Sequence, residues 1–218
     1  MKKLASVVFL ALLGCGTARV MSPAATFLLS VDHYRAQLRD LEKKPDRWPE
    51  RQELAQWLKG QYLVRFGRSA EFEQLVDLDA KKRELLIALR DSQLAAERAA
   101  EIKTEIARIT TELENLKRPV VAQLEAAELR VPREPSQALE AIAAIGLAAM
   151  SVEALASGTL SRAAPPTINL AGKYSVTDYG PFAAVKTPDG QIHRCALVLL
   201  DEGVAGVRCG KRCQASNY

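Results

Sequence analysis

A heptad pattern through the middle of the chain constrains the fold more strongly than any other feature of the sequence. Small and apolar residues recur there at alternating spacings of three and four residues. They are Leu85, Ala88, Ser92, Ala95, Ala99, Ile102, Ile106, Ile109, Leu113, Leu116 and Val120. This spacing is typical of a long helix that packs along another helix. It predicts a single helix over residues 69–118, about 75 Å long at the usual rise per residue.

Two arrangements satisfy this pattern. The helix can pack against other helices of the same chain, as a bundle or hairpin, or against a second chain as a coiled coil. The small residues at the start of the pattern permit close approach of an antiparallel helix from within the chain. The intramolecular arrangement is therefore the preferred interpretation, and the intermolecular coiled coil is the alternative.

Further helices are predicted on both sides of the heptads. Apolar residues recur at helical spacing over residues 24–41, and Pro45 and Pro49 interrupt that pattern before a second helix. Gly67 is expected to end the second helix with a left-handed residue, and Ser69 is expected to cap the third. Only 6% of residues are aromatic, and the middle of the chain is rich in alanine, leucine and charged residues. Such composition favours helices over a β-rich enzyme.

The last predicted helix, over residues 136–156, is alanine-rich and apolar. Glu140 and Glu153 argue against a membrane span, so we expect a buried helix of the bundle. Gly146 lies inside it, where a neighbouring helix is expected to pack closely. The helical region as a whole is predicted to cover residues 24–156.

The pattern changes after a linker at residues 157–167. Short runs of β-formers alternate with turn signals over residues 168–218, which predicts an antiparallel meander of about four strands. Such a small unit has little core, so it should pack on the helices or contain a disulfide. The predicted fold class is mainly α, an elongated helical bundle or coiled-coil hairpin with a small C-terminal β-meander.

The first residues have the layout of an export signal. Lys2 and Lys3 precede a short apolar run, and small residues follow at Gly14 and Gly16. The run has about ten residues, whereas a helix that spans a bilayer needs about 20. We therefore expect residues 1–14 to be removed as a signal peptide.

The end of this run, Leu12-Leu13-Gly14-Cys15, resembles the lipobox of bacterial lipoproteins. In that family a peptidase cuts before the cysteine, which then carries a diacylglycerol and usually an acyl group such as palmitate on its amino terminus. The resemblance implies that Cys15 is lipidated and that residues 15–23 form a membrane tether. Gly16 is not the aspartate that retains many lipoproteins in the inner membrane, so the outer membrane is implied. An ordinary signal peptide beside a coincidental cysteine is the alternative.

Export favours disulfides, and hairpin geometry predicts one. Residues 201–203 fit a three-residue hairpin loop, which pairs Leu200 with Val204. Five steps further out, Cys195 faces Cys209 in a non-hydrogen-bonded pair, where the Cα atoms are about 4.5 Å apart. That separation suits a disulfide.

Other uses of the cysteines remain open. Pairing of Cys195 with Cys213 is the second possibility, and either bond leaves one odd thiol. A zinc site formed by His193 and the three cysteines at 195, 209 and 213 is a sharper alternative, but the spacing of common zinc knuckles is missing. We expect the disulfide and no metal.

The sequence contains no motif for nucleophilic, phosphate or zinc-protease chemistry, so we expect no enzyme and no cofactor. A thiol-redox role for Cys213 is a minor alternative. Removal of Lys2 and Lys3 with the signal leaves a charge near neutral, which together with export argues against nucleic acid. A basic cluster remains near the proposed hairpin, and it suits anionic lipid, peptidoglycan carboxylates or an acidic protein. Its members are Arg194, Arg208, Lys211 and Arg212.

Two functions follow as expectations. The first is an envelope lipoprotein that acts as a scaffold or adaptor, in which the helices serve as a spacer and the β module binds an envelope protein. The second is a cell-wall or carbohydrate-binding lipoprotein that uses the basic residues together with Tyr174, Tyr179 and Phe182. Membrane lipid is a partner in both through Cys15.

Overall fold

The computed structural model describes residues 22–91, 93–131, 137–157, 164–200 and 204–210. This part of the chain is mainly α-helical with one small antiparallel sheet, which confirms the predicted fold class. The helices are α1 (Pro23–Leu41), α2 (Arg51–Phe66), α3 (Ala70–Ala88), α4 (Ala96–Arg130) and α5 (Ala138–Ser157). The strands are β1 (Thr167–Leu170), β2 (Tyr174–Asp178), β3 (Ala183–Lys186), β4 (Ile192–Leu199) and β5 (Ala205–Cys209).

The predicted helix boundaries in the first third of the chain are confirmed. A short 3₁₀ helix at Pro45–Glu50 separates α1 from α2, where the two prolines interrupt the apolar pattern. Gly67 ends α2 with φ of 84°, in the left-handed region that glycine favours. The Oγ of Ser69 accepts a hydrogen bond from the Phe72 amide at 3.2 Å and so caps α3.

The prediction of one helix over residues 69–118 is wrong. The chain turns between α3 and α4, where Oδ1 of Asp91 accepts a hydrogen bond from the Gln93 amide at 2.9 Å. Such a local bond between a side chain and the backbone competes with helix continuation. Of the alanines at the start of the heptad pattern, Ala88 therefore ends α3 and Ala95 precedes α4, and both are exposed instead of buried in a helical interface.

The helices on either side of this turn form an antiparallel hairpin. Lys81 Nζ lies 2.6 Å from Glu105 Oε1, while Gln74, which is earlier in α3, donates to Glu112, which is later in α4. The second half of the heptad pattern is buried as predicted, at Ile102, Ile109, Leu113 and Val120. Its packing partners lie within the chain, so the intramolecular hairpin is the arrangement observed.

The sheet has five strands where about four were predicted, in the order β1-β2-β3-β4-β5. The difference arises at Gly172, whose φ of 75° makes a turn within a run of β-formers. This turn divides the run into β1 and β2, which pair with each other through Leu170 and Tyr174. Glycine is needed there because an L side chain rarely adopts that backbone conformation.

The predicted hairpin register and disulfide are confirmed. Cys195 pairs with Cys209 across β4 and β5, their Cα atoms are 4.0 Å apart, and their sulfurs are bonded. The Gly210 amide donates to the Arg194 carbonyl at 2.9 Å, which is the pattern expected beside a non-hydrogen-bonded pair. The loop at 201–203 lies outside the described residues.

The sheet packs on α5, and helices and sheet share one hydrophobic core. The close approach predicted at Gly146 exists, but the neighbour is a strand rather than a helix. A Cβ placed on Gly146 would lie 2.5 Å from the Cβ of Val176 in β2. The absence of a side chain at Gly146 therefore sets the distance between α5 and the sheet.

The α5 segment Ala138–Ala156 is the one stretch in the described helices that is long and apolar enough to cross a membrane. Within the fold, 67% of its most apolar window is buried, among the other helices on one side and the sheet on the other. Alanines supply much of this contact, including Ala143, Ala144 and Ala148, which are fully buried. The helix is therefore a core helix of this fold, as the sequence predicts.

Loss of the disulfide is expected to lower the free energy of unfolding by about 2–3 kcal/mol, because the bond closes a short loop in the unfolded chain. The test is urea unfolding of the double variant Cys195→Ala, Cys209→Ala, compared with Cys213→Ser as the control. The control should match the parent. Equal stability of the double variant and the parent would show that the bond contributes nothing.

Candidate functional site: a cleft between the helices and the sheet

A cleft of about 580 Å³ opens where α1 and α5 meet the turn between β2 and β3. This volume lies in the range of pockets that bind small molecules. The apolar part of its lining includes Leu28, Leu147, Met150, Ala183 and Leu197. The polar part consists of Asp32, Arg35, Ser151, Asp178 and Tyr179. An apolar lining with a few converging polar groups is the usual composition of a ligand site.

Arg35 contributes a buried polar atom that has no hydrogen-bond partner in the part of the chain that the structure describes. Its Nε is buried and makes no hydrogen bond with any residue that the structure describes. Burial lowers the pKa of Arg35 and the nearby Asp32 opposes this change, but a guanidinium stays charged in any case. A buried donor without an acceptor is unfavourable. Since the Arg35 side chain also lines the cleft, an acceptor oxygen of a ligand beside this guanidinium would be stabilised.

Two carboxylates share the lining with Arg35. Partial burial raises the pKa of Asp32 and the nearby Asp178 raises it too, whereas Arg35 lowers it. Oδ1 of Asp178 accepts a hydrogen bond from the Gly180 amide at 2.7 Å, which orders the turn after β2. The remaining acceptor capacity of the two carboxylates suits an amine or hydroxyl group of a ligand.

The turn between β2 and β3 brings two aromatic rings to the cleft. Tyr179 and Phe182 stack with their centroids 5.1 Å apart, and the Tyr179 amide donates to the Phe182 carbonyl at 2.9 Å. Gly180 has φ of 85°, which lets the chain reverse between the two rings. The guanidinium of Arg194 lies 4.1 Å from the centre of the Phe182 ring, so a cation–π contact supports the turn.

The structure brings together only part of the predicted binding residues. Tyr179 and Phe182 line the cleft, but Tyr174 packs against the hydrophobic core outside it. Arg194 and Arg208 lie diagonally on neighbouring strands, since Ala196 is the direct partner of Arg208. Four predicted positions lie outside the described residues: Cys15, Lys211, Arg212 and Cys213.

The zinc alternative loses two of its ligands in this structure. The sulfurs of Cys195 and Cys209 are joined in the disulfide and are not available as thiolates. His193 lies two residues from Cys195 on β4. Among the described residues, no group of three or more histidine, cysteine, aspartate or glutamate side chains is arranged to hold a metal ion.

The sequence pattern did not indicate the α1 side of the cleft, because Asp32 and Arg35 fall on the polar positions of a helix. Asp32 and Arg35 are one helical turn apart, and each follows a buried residue, Val31 and Tyr34 respectively. That position at the edge of the apolar face was the available signal. It could not identify the partner surface, because Asp178 lies far away in the sequence.

Comparison with known proteins adds no identification: no family model, no curated protein and no solved structure matches this chain significantly. The class that the fold defines is a helical bundle closed on one side by a small disulfide-bonded sheet. Functional interpretation therefore depends on the cleft and on the amino-terminal residues.

Proposed function

We propose that this protein is a lipid-anchored protein of the bacterial cell envelope that acts as a scaffold or adaptor. Acylated Cys15 would hold it in the outer membrane, and the cleft beside the β2–β3 turn would bind an envelope partner. The observation that supports a binding role most directly is the Arg35 side chain, whose Nε has no hydrogen-bond partner among the described residues, in a cleft lining that also contains stacked aromatic rings. A binding role is proposed rather than a catalytic one because the sequence has no motif for nucleophilic chemistry.

The beginning of α1 suits such an anchor. Oε1 and Oε2 of Glu128, which is fully buried in α4, accept hydrogen bonds from Ser22 Oγ and the Ala24 amide, both at 2.8 Å. Only six residues separate Cys15 from Ser22. An extended chain over that separation reaches at most about 25 Å. The lipid would therefore keep the start of α1 close to the membrane surface.

Cross-linking in the envelope tests the cleft as the partner site. A photoreactive residue at Tyr179, which is 48% exposed, is expected to capture a discrete partner, whereas one at Val64, which is 84% exposed on α2, is not. Filling the cleft with Ala154→Trp should reduce capture at least about fivefold, because a large side chain takes the partner's space. Circular dichroism controls for folding of the variant. Equal capture at both positions, or capture unaffected by Ala154→Trp, would contradict the cleft as partner site.

A cell-wall ligand is the second candidate, and the outer face of the sheet favours it. Arg194 and Arg208 lie diagonally on that face, and the side chain of Arg208 is 59% exposed, 4.0 Å from Glu140. Exposed cations of this kind attract polymers that carry carboxylates or phosphates.

Sedimentation with purified cell-wall sacculi tests this candidate on the mature chain. The double variant Arg194→Ala, Arg208→Ala is expected to bind about fivefold less tightly or worse, since two cations are lost. The matched control is Arg98→Ala, Lys103→Ala, which removes two exposed cations from α4. Equal losses of binding in the two double variants would show that only net charge matters. If the parent protein does not bind the sacculi, a cell-wall ligand is excluded.

A further inference from the structure

A scaffold role does not by itself say what chemical group the cleft binds. The side chains that line the cleft do indicate this chemistry. The lining combines one guanidinium, two carboxylates, two hydroxyls and an apolar surface. Each of these groups restricts what can bind. The restriction is strongest for Arg35, because its Nε is buried and lacks an acceptor among the described residues.

The guanidinium of Arg35, which forms no ion pair among the described residues, calls for an oxygen anion. Arg35 and Asp32 lie on the same face of α1, but no ion pair joins them among the described residues, where the arginines in ion pairs with carboxylates include Arg51 and Arg83 instead. A planar guanidinium matches the two oxygens of a carboxylate. The ligand group nearest Arg35 is therefore best supplied by a carboxylate.

The two carboxylates of the lining call for a positive group on the same ligand. Asp32 and Asp178 both line the cleft, and Asp178 is close enough to Asp32 to raise the pKa of Asp32. A polyanion such as a nucleic acid or a teichoic acid would be repelled by this pair, whereas an amine would be attracted to it. The ligand therefore carries both an anionic and a cationic group.

The apolar part of the lining supplies the third restriction. Leu28, Met150 and Leu197 contribute apolar side chains to the lining. Small alkyl side chains can be buried there, and the volume of about 580 Å³ accommodates a peptide of a few residues.

We propose that the cleft binds the free carboxyl end of a short peptide whose last residues have small apolar side chains and which also carries an amine. Arg35 binds the terminal carboxylate, Asp32 and Asp178 bind the amine, and the alkyl groups contact Leu28, Met150 and Leu197. This inference rests on the proposed function, since it assigns a chemistry to the same partner site. Two sources share the chemistry, the carboxyl terminus of an envelope protein and the stem peptide of the cell wall.

Calorimetric titration of the mature chain tests the proposal with defined probes. The probe is acetyl-Lys-Ala-Ala with a free carboxylate, and the comparison probes are its carboxyl-terminal amide and a version with norleucine in place of lysine. Loss of either charge on the probe is expected to weaken binding about tenfold or more. A second arm uses D-alanine at both terminal positions, so tighter binding of the L or the D form assigns the source to a protein terminus or to the cell wall.

Variants locate the bound groups. Arg35→Gln should weaken binding of the free carboxylate about tenfold and leave the amide probe unchanged, and Arg35→Lys should give an intermediate loss. Asp32→Asn should weaken the lysine probe but not the norleucine probe. The matched controls are Arg39→Gln and Asp40→Asn, which lie about one and two turns further along α1, outside the cleft lining. They should bind like the parent.

Two results would overturn the proposal: equal binding of the free carboxylate and the amide, or no binding of any probe. Its failure is distinguishable from failure of the proposed function. If the probes do not bind but Tyr179 still captures a partner that Ala154→Trp excludes, the ligand chemistry is wrong and the scaffold role stands. If the cross-linking fails as well, the partner site itself is wrong.

Discussion

Replacing Arg83 with methionine is expected to lower the free energy of unfolding by about 4 kcal/mol, because it leaves a carboxylate buried without its cation. Asp79 is only 1% exposed, and Arg83 Nε donates to it at 3.1 Å while Nη1 of the same arginine donates to Glu42 at 3.0 Å. Burial raises the pKa of Asp79, and Arg83 opposes that change. Urea unfolding of the purified mature chain measures the loss.

A double variant distinguishes the effect of an unpaired buried charge from the effect of lost side-chain packing. Asp79→Leu together with Arg83→Met removes both charges, so most of the stability lost in the single variant should return, to within about 1–2 kcal/mol of the parent. The hydroxyl of Tyr34 then loses a 3.5 Å contact with Asp79, which accounts for the remainder. A single variant that costs less than about 1 kcal/mol would show that water or another group compensates Asp79.

Replacing Gly146 with valine is expected to cost at least about 3 kcal/mol, because it overfills the contact between α5 and the sheet. The new Cβ would lie 2.5 Å from the Cβ and Cγ2 of Val176, which real Cβ atoms do not tolerate. Both groups are attached to backbone in regular structure, so relief requires the helix and the strand to separate. Thermal and urea unfolding measure the effect.

The control for Gly146 is another glycine in a helix. Gly60 lies inside α2 and has no atom within 4 Å of a Cβ placed on it. Gly60→Ala should therefore raise stability by about 0.5–1 kcal/mol through helix propensity. If Gly146→Val were as well tolerated as Gly60→Ala, the close packing of the sheet on α5 would be contradicted.

Local signals in the sequence predicted most of the elements. Prolines, the left-handed Gly67 and the capping Ser69 act within one or two turns of the chain, so they are visible without tertiary information. The register of β4 and β5 was predictable for the same reason, since a short loop and two cysteines fix it. All of these signals depend on residues that are close together in the sequence.

The errors arose where nonlocal packing or competing local bonds decide the structure. The heptad spacing continues through residues 88–95, yet an Asp91 turn interrupts the helix there. Gly146 indicated that another element packs closely against α5. The sequence of α5 could not show that this element is the strand that contains Val176. The cleft joins Asp32 and Arg35 to Asp178, which lies about 140 residues later.

The lining of the cleft also explains why composition alone gave a weak functional signal. Its polar groups come from α1, α5, the end of β2 and the β2–β3 turn, and none of them stands out in its own segment. Their combination becomes informative only when the fold leaves Arg35 Nε buried without a hydrogen-bond partner among the described residues. The aromatic pair Tyr179 and Phe182 was visible in the sequence because both residues flank one turn.

The measurement that tests the central claim most directly is the intact mass of the protein extracted from membranes, with and without reduction. A lipid-anchored protein should give the mass of residues 15–218 plus a diacylglycerol and an amide-linked acyl chain, and lose the lipid in Cys15→Ser. Reduction should add the mass of two hydrogens for the Cys195–Cys209 bond. An unlipidated mass, or a chain that begins after Cys15, would contradict membrane anchoring through this residue.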